Sequence, residues 1–191
     1  MSDVILQTDR LRLRRLTAED AAFIFALVNE PSFIENIGDR NVRSEEDAVR
    51  YIQNGPMASY ERYGYGLYKV ELRQTSTPIG ICGPLKRETL EFPDIGFAFL
   101  PPFWGQGFAL ESAAAVMDYS REVLGLNDIA AITTPTNERS IKLLEKLGFK
   151  FQCIKNLTED ASPIKLFLSK PETEHKNKNS GTDTKPIVEE E

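Results

Sequence analysis

A short glycine-bearing stretch, Trp104-Gly-Gln-Gly-Phe-Ala109, combines residue types that can bind phosphate. It follows an apolar run from Phe97 that predicts a buried strand, and it leads into residues with helical spacing. The first amides of a helix lack partners within the helix, and the helix dipole places partial positive charge there, so anions bind at such ends. Gly105 and Gly107 carry no Cβ, so a ligand can approach the backbone closely. Taken alone, the stretch is equally compatible with a tight strand-to-helix turn that binds nothing.

Few residues of this chain suit metal or histidine chemistry. The single histidine, His175, lies in a polar stretch, and Cys82 and Cys153 are the only cysteines. These are too few for a disulfide scaffold or a cysteine metal site, and no histidine triad or metal site is expected. The chemistry must therefore come from carboxylates, hydroxyls and backbone groups.

The length and charge of the chain narrow its class. A chain of 191 residues is long enough for one domain with a substantial core. Its net charge of −6 argues against a general nucleic-acid binder and mildly favours a cationic substrate. No apolar run reaches the roughly 18 residues that cross a bilayer, and the N-terminus lacks the apolar core of a secretory signal. We therefore expect a cytoplasmic protein that binds neither membrane nor nucleic acid.

Hydrophobic periodicity predicts strands and helices that alternate along most of the chain. Thr17-Ala-Glu-Asp20 and Ser44-Glu-Glu-Asp47 have the spacing of capping boxes and predict two helix starts, whereas residues 33–42 look irregular. Asn137 and Gly148 suit the two ends of a later helix. The order predicts one mixed sheet with helices on both faces. Strands are expected over 10–16, 64–72, 78–85, 97–100, 128–134, 149–155 and 164–168.

Three stretches together resemble the GNAT superfamily of acyl-CoA-dependent N-acetyltransferases, and more narrowly its ribosomal-protein alanine N-acetyltransferase (RimJ/RimL-like) branch. They are Leu6-Gln-Thr-Asp-Arg-Leu-Arg-Leu-Arg-Arg-Leu-Thr-Ala-Glu-Asp20, Asp94-Ile-Gly-Phe with Leu100-Pro-Pro-Phe-Trp-Gly-Gln-Gly-Phe-Ala-Leu-Glu111, and Asn137-Glu-Arg-Ser140 with Leu147-Gly-Phe149. The resemblance implies an α/β (α+β) fold with a single, mostly antiparallel sheet. It covers residues 6–170, the predicted domain, and leaves 171–191 as a polar tail with too little apolar surface to fold.

The resemblance also implies where acetyl-CoA binds as co-substrate. The backbone amides of Gly105, Gln106, Gly107, Phe108 and Ala109 would bind the CoA pyrophosphate. The strand before them, around Phe99 and Leu100, would present backbone groups to the pantetheine arm, and Asn137 would hydrogen-bond the same arm. Trp104 departs from the Gln or Arg that usually begins this loop in the superfamily.

The implied reaction is direct attack of a neutral amine on the acetyl thioester, which needs a base and a proton donor near the sulfur. The tyrosine that many members use as the acid is replaced here by Leu144. We predict Ser140 as the acid, with a serine bonded only to its own helix as the alternative. We predict Asp94 as the base, with a solvated acid at the strand edge as the alternative.

Other polar and aromatic residues of these motifs have simpler explanations. Glu111, in the predicted first turn of a helix, is explained by the helix dipole that its charge complements. Arg12 and Arg14 are best explained as a solvated strand face. Phe103 and Trp104 are better explained by core packing than by a substrate cleft.

Two functions follow from the resemblance. The first is an N-acetyltransferase that acts on a protein N-terminal amine or a small-molecule amine. The second is an acyl-CoA-binding module or sensor with little or no turnover. The acceptor is expected to be selected by residues 33–63 and the final hairpin, and the chain is expected to be a monomer or a homodimer.

Overall fold

A computed structural model describes residues 4–159 and 161–169, so the predicted tail at 171–191 lies outside the described residues. Within the described part, no helix is both long and apolar enough to span a membrane. Eight strands form one sheet. They are β1 (Val4–Gln7), β2 (Leu11–Arg15), β3 (Tyr68–Leu72), β4 (Pro78–Leu85), β5 (Asp94–Phe99), β6 (Ile129–Thr133), β7 (Lys150–Lys155) and β8 (Ile164–Ser169).

The sheet order is β1-β2-β3-β4-β5-β6-β8-β7. Every neighbouring pair is antiparallel except β5 and β6, which run parallel. This arrangement confirms the predicted single mixed, mostly antiparallel sheet. β1 is the one strand that the periodicity did not predict, because only four residues form it.

The helices cover both faces of the sheet, as predicted. They are α1 (Ala21–Val28), α2 (Pro31–Ile37), α3 (Glu45–Ile52), α4 (Ala58–Tyr63), α5 (Phe108–Glu122) and α6 (Glu138–Lys146).

Helix α2 replaces the first part of the segment that was predicted to be irregular. Its first residue is Pro31, whose fixed φ suits that position. Between α3 and α4 the chain forms a π-helical segment, Gln53–Met57, which contains Gly55 and Pro56. Ser44 caps α3 as expected, since its hydroxyl accepts the Asp47 N–H at 3.2 Å.

Two cores hold the layers to the sheet. The first lies beneath α5 and α6 and includes Leu13, Val70 and Val116. The second lies beneath α1 and α3 and includes Ile24 and Ile52. Burial of each such side chain contributes about 1.5–3 kcal/mol relative to exposure, so both helical layers are firmly attached.

A buried ionic network joins the sheet to the start of α1. Asp20 accepts hydrogen bonds from Arg14 at 2.8 Å and from Lys69 at 2.7 Å. Glu71 completes the network, with its carboxylate 3.1 Å from Arg14 Nε and 2.5 Å from Lys69 Nζ. The side chain of Arg14 is only 13% exposed. The prediction that Arg14 belongs to a solvated face is therefore wrong, because its guanidinium is enclosed by ion pairs with Asp20 and Glu71.

Candidate cofactor cleft and active site

The parallel strands β5 and β6 pair at one point only, between Asp94 and Ala130, where Ala130 N–H donates to Pro93 O at 2.8 Å. Beyond that point the two strands diverge, so a wedge-shaped gap opens toward Phe99 on one side and Thr133 on the other. A gap within a sheet leaves strand backbone groups without ladder partners. We call this opening the cleft.

Backbone groups of β5 face the cleft in alternation. Leu100 N–H donates to Ile79 O of β4 at 2.9 Å, so the groups of Phe97 and Phe99 point the other way, toward β6. The Phe99 carbonyl accepts the Trp104 indole N–H at 2.7 Å. The carbonyl of Leu100 accepts from Phe103 N–H at 3.0 Å, so both backbone groups of Leu100 are already bonded within the protein.

The glycine loop lies at the wide end of the cleft. Gly105 has φ +72° and Gly107 has φ +82°, a region that L side chains rarely adopt. Helix α5 begins at Phe108, and its first backbone bond to the loop runs from Glu111 N–H to Gly107 O at 3.0 Å. The amides of residues 105–110 make no hydrogen bond within the described part of the chain. This loop therefore presents a row of free donors at a helix N-terminus, which fits an anionic ligand.

The turn between β1 and β2 braces this loop from outside. Glu111 accepts hydrogen bonds from Thr8 Oγ1 at 2.5 Å, from Arg10 Nε at 2.6 Å and from Arg10 N–H at 3.1 Å. Arg10 also donates to Gln106 O at 3.0 Å and lies over the Phe108 ring at 4.5 Å. Glu111 thus does more than complement the helix dipole, because it ties α5 to the first hairpin. We call Thr8, Arg10 and Glu111 the clamp.

Trp104 contacts both sides of the cleft. Its indole N–H bonds to Phe99, and the Arg139 guanidinium of α6 lies 4.7 Å from its ring. The residue is 39% exposed, so the prediction that it packs in the core is wrong. Phe103, by contrast, packs against the first core beside Phe108.

Asn137 and Ser140 lie together at the start of α6. Asn137 Oδ1 accepts the Ser140 N–H at 3.1 Å, which leaves the Asn137 amide nitrogen as a donor. Among the described residues, Ser140 Oγ has no hydrogen-bond partner, so the hydroxyl is not bonded back to its own helix. Leu144, one turn further along α6, is buried in the first core.

Asp94 lies at the narrow end of the cleft, about 17 Å along β5 from Phe99. It is 1% exposed, and Arg87 Nε donates to both of its carboxylate oxygens at 3.0 Å. Burial raises the pKa of Asp94, and the charge and hydrogen bonds of Arg87 oppose that rise. The alternative of a solvated acid at the strand edge is therefore wrong.

Asp94 and Ser140 lie on opposite faces of the sheet. Side chains alternate along a strand, so Asp94 shares a face with Ala98, which packs against the second core. The buried residues of α6, by contrast, belong to the first core. The two predicted catalytic residues are therefore separated by the sheet everywhere except at the cleft.

The sequence motifs located the loop, Asn137 and Ser140, but they did not reveal Arg87 or the clamp. Arg87 is seven residues from Asp94 and carries no motif, and Arg10 and Glu111 are 101 residues apart. In the described ranges 4–159 and 161–169, no group of three or more His, Cys, Asp or Glu residues is placed to hold a metal ion.

Known proteins resemble this chain in sequence and in fold. A family model described as an acetyltransferase (GNAT) domain matches residues 10–150. An uncharacterized N-acetyltransferase of Bacillus subtilis, YoaA, is 35% identical over 76% of this chain and 82% of its own length. An acetyltransferase crystal structure from Agrobacterium tumefaciens has a TM-score of 0.74 at 21% identity, covering 88% of this chain and 95% of that one. The structure of RimL, the ribosomal L7/L12 α-N-protein acetyltransferase, in complex with coenzyme A has a TM-score of 0.74 at 17% identity and covers 88% and 98% of the two chains. The chain belongs to the GNAT family of acetyltransferases, as the three sequence motifs predicted.

Proposed function

We propose that this protein transfers the acetyl group of acetyl-CoA to a primary amine, either a protein N-terminus or a small molecule, in the manner of the RimJ/RimL-like branch. The observation that carries the proposal is the cleft between β5 and β6 with free backbone donors at its wide end. A phosphate group at the loop, joined to an arm that runs down the cleft, would bring a thioester toward Asp94.

The residues that would hold acetyl-CoA fit its two chemical parts. Gly105, Gln106, Gly107, Phe108 and Ala109 would offer their unbonded backbone N–H groups to the pyrophosphate, and both glycines have positive φ, as in many backbone anion sites.

The pantetheine amides would meet the backbone of β5 and the Asn137 side chain. Phe97 offers both of its backbone groups in the cleft, so we add Phe97 to the predicted set. Phe99 offers its N–H, since its carbonyl already accepts from Trp104. Leu100, in contrast, has no free backbone group for this purpose. Asn137 would donate from its amide nitrogen, because its oxygen already accepts from Ser140 N–H.

The two catalytic residues have complementary chemistry on opposite faces. Asp94 would accept the proton of the attacking amine, and a pKa raised by burial brings its basicity nearer to working pH. Ser140 would donate a proton to the leaving sulfur from the other face, since its hydroxyl is uncommitted among the described residues. An amine that attacks from the Asp94 face would thus expel sulfur on the Ser140 face.

The family relation leaves the acceptor open between two classes. One similar structure is described as a ribosomal L7/L12 α-N-protein acetyltransferase, and another as the microcin C7 self-immunity acetyltransferase MccE with acetyl-CoA and AMP. Both share less than 25% identity with this chain, so their acceptors are only guides to what should be screened.

A thiol-release assay with acetyl-CoA and a mixed panel of peptide and polyamine acceptors tests the proposal. Acceptor-dependent release of CoA, with mass increase of the acceptor by one acetyl group, is the expected result. Tight CoA binding without acceptor-dependent release for any amine in the panel would favour the acyl-CoA-binding module instead.

A further inference from the structure

A polar groove of about 420 Å³ lies on the helical layer over the Asp94 face of the sheet. It falls within residues 40–55, inside the segment that the sequence assigns to acceptor selection. The residues that line it are mostly charged or hydrogen-bonding: Arg40, Asn41, Val42, Asp47, Arg50, Tyr51, Asn54 and Gly55.

The groove is locally cationic in a chain of net charge −6. Of its charged residues, Asp47 is already bonded to Arg50 and to the Arg43 N–H at 2.9 Å. Arg40, in contrast, is exposed and has no ion pair or hydrogen bond to any residue in the described part of the chain. Its five N–H donors suit bidentate binding of a carboxylate or phosphate.

Two departures from regular backbone occur in the lining of the groove. Asn41 adopts φ +55°, a left-handed conformation, and the Asp39 carboxylate accepts its N–H at 2.8 Å. Asn54 and Gly55 belong to the π-helical segment. Such features cost free energy and cluster at ligand sites, so their presence in the same groove suggests a binding role.

Tyr51 connects the groove to the predicted base. Tyr51 lines the groove and packs against the second core, the core that Ala98 on the Asp94 face of β5 also contacts. Burial raises the pKa of Tyr51, and the positive charges of Arg40 and Arg87 oppose that rise. Arg87 holds Asp94 through its Nε, and its two terminal nitrogens make no bond to the described residues. A ligand in the groove would therefore lie on the same face of the sheet as Asp94.

We propose that this groove binds an anionic group, a carboxylate or a phosphate, carried by the amine acceptor, with Arg40 as its main partner. The inference rests on the proposed transferase function and deepens it by naming a property of the acceptor. It also replaces the mild expectation from net charge that the acceptor is cationic, because the local charge of the groove is opposite to that of the whole chain.

The test compares acceptors in matched pairs: peptides that differ by Asp or Asn, peptides with serine or phosphoserine, and small amines with a carboxylate or its amide. The wild-type protein should have the higher kcat/KM for the anionic member of a pair. Arg40→Glu should lower kcat/KM for that member about tenfold, the effect of one charge-assisted hydrogen bond, and change the neutral member less than about twofold. Comparison of the Asp/Asn pair with the serine/phosphoserine pair shows whether the groove prefers a carboxylate or a phosphate.

Lys150→Glu is the matched control, because it makes the same charge change at an exposed residue of β7, the strand at the far edge of the sheet. An equal loss in Lys150→Glu would mean that long-range charge is responsible and would overturn the proposal. So would a wild-type preference for neutral or cationic acceptors.

Titration calorimetry with N-acetylated peptides keeps this test separate from the proposed activity. If no acceptor is turned over, the transferase proposal fails, but tighter binding of the anionic product that is lost in Arg40→Glu would still support the groove. Equal affinity for both peptides of every pair would overturn it.

Discussion

The loop before α5 and the groove beside α3 both include irregular backbone, but their polar side chains differ in whether they have partners within the protein. The loop is braced by side chains from distant parts of the sequence, since Thr8 and Arg10 reach it through Glu111, and Trp104 reaches Phe99. The groove instead keeps Arg40 without a protein partner among the described residues. A site for a fixed ligand can be rigid before binding, whereas a site that selects among acceptors leaves charge for the acceptor to satisfy.

Replacement of Gly107 by valine should have the largest effect of the variants considered, a loss of CoA binding at the loop. Valine at φ +82° is strained, which favours a different loop conformation, and Arg10 Nη2, 3.3 Å from the new Cβ, would have to shift. Loss of two charge-assisted hydrogen bonds to phosphate, each worth about 1.5–3 kcal/mol, predicts about 1,000-fold weaker CoA binding by calorimetry.

Gly125→Val is the matched control for that experiment. Gly125 has φ +68°, and a Cβ there meets nothing within 4 Å, so it shares the backbone strain but lies after α5, away from the loop. Its CoA affinity should stay near wild type. Unchanged CoA affinity in a folded Gly107→Val protein would refute the assignment of the phosphate loop.

Asp20→Asn tests whether the helical layer that carries the groove can be destabilised without an effect on CoA binding at the loop before α5. The neutral amide leaves Arg14 and Lys69 with uncompensated buried charge, so the free energy of unfolding should fall by about 3 kcal/mol in urea denaturation. CoA affinity of the folded protein should not change. Asp39→Asn, which removes an exposed partner of Arg43, should leave stability unchanged.

The pH dependence of stability provides a second readout for Asp20. Burial alone would raise its pKa, but hydrogen bonds from Arg14 and Lys69 outweigh that effect and lower the pKa below 3.8. Its contribution to stability is therefore present above pH 3.8 and disappears as the pH falls through the lower, folded-state pKa. The stability curves of wild type and Asp20→Asn should converge only in that acidic range, and a constant difference there would contradict the ionic role.

Ser140→Ala tests the proposed proton donor, which belongs neither to the loop nor to the groove. If Ser140 donates the proton to sulfur, kcat should fall about 100-fold, the usual contribution of a general acid. The KM for acetyl-CoA should change little, because Asn137 keeps its cap to the residue 140 amide. Thr136→Ala, at an exposed residue of the preceding turn, is the control. Near-normal turnover in Ser140→Ala would rule out the acid role.

Local patterns predicted most of the sheet and the loop. Glycines before a helix and the Asn137 cap act within a few residues, so their physical consequences can be read along the chain. Helix α2 was not predicted because it has only seven residues, too few for a clear apolar period.

Pairings across the fold could not be read from the sequence. The burial of Arg14 and the contact of Arg87 with Asp94 depend on which strands are neighbours and what covers them. The groove is a further case, because the free charge of Arg40 is apparent only once Arg43 and Arg50 are seen to have partners of their own.

Glu111→Gln is expected to have the smallest effect on CoA binding. It shows whether Glu111 acts through the clamp or through the helix dipole. If Glu111 serves mainly the helix dipole, its replacement should resemble Glu138→Gln, which removes an exposed acid from the first turn of α6. If it serves the clamp, loss of its charge should loosen Arg10 and weaken CoA binding about tenfold, while Glu138→Gln has little effect.

The protonation of Glu111 sharpens that comparison. Burial alone would raise its pKa, but hydrogen bonds from Thr8 and Arg10 outweigh this and lower the pKa below 4.5. The carboxylate is therefore charged throughout the range of about pH 6 to 9, and the difference between wild type and Glu111→Gln should be constant there. A difference that grows or disappears within that range would mean that another titrating group, and not the clamp, controls the loop.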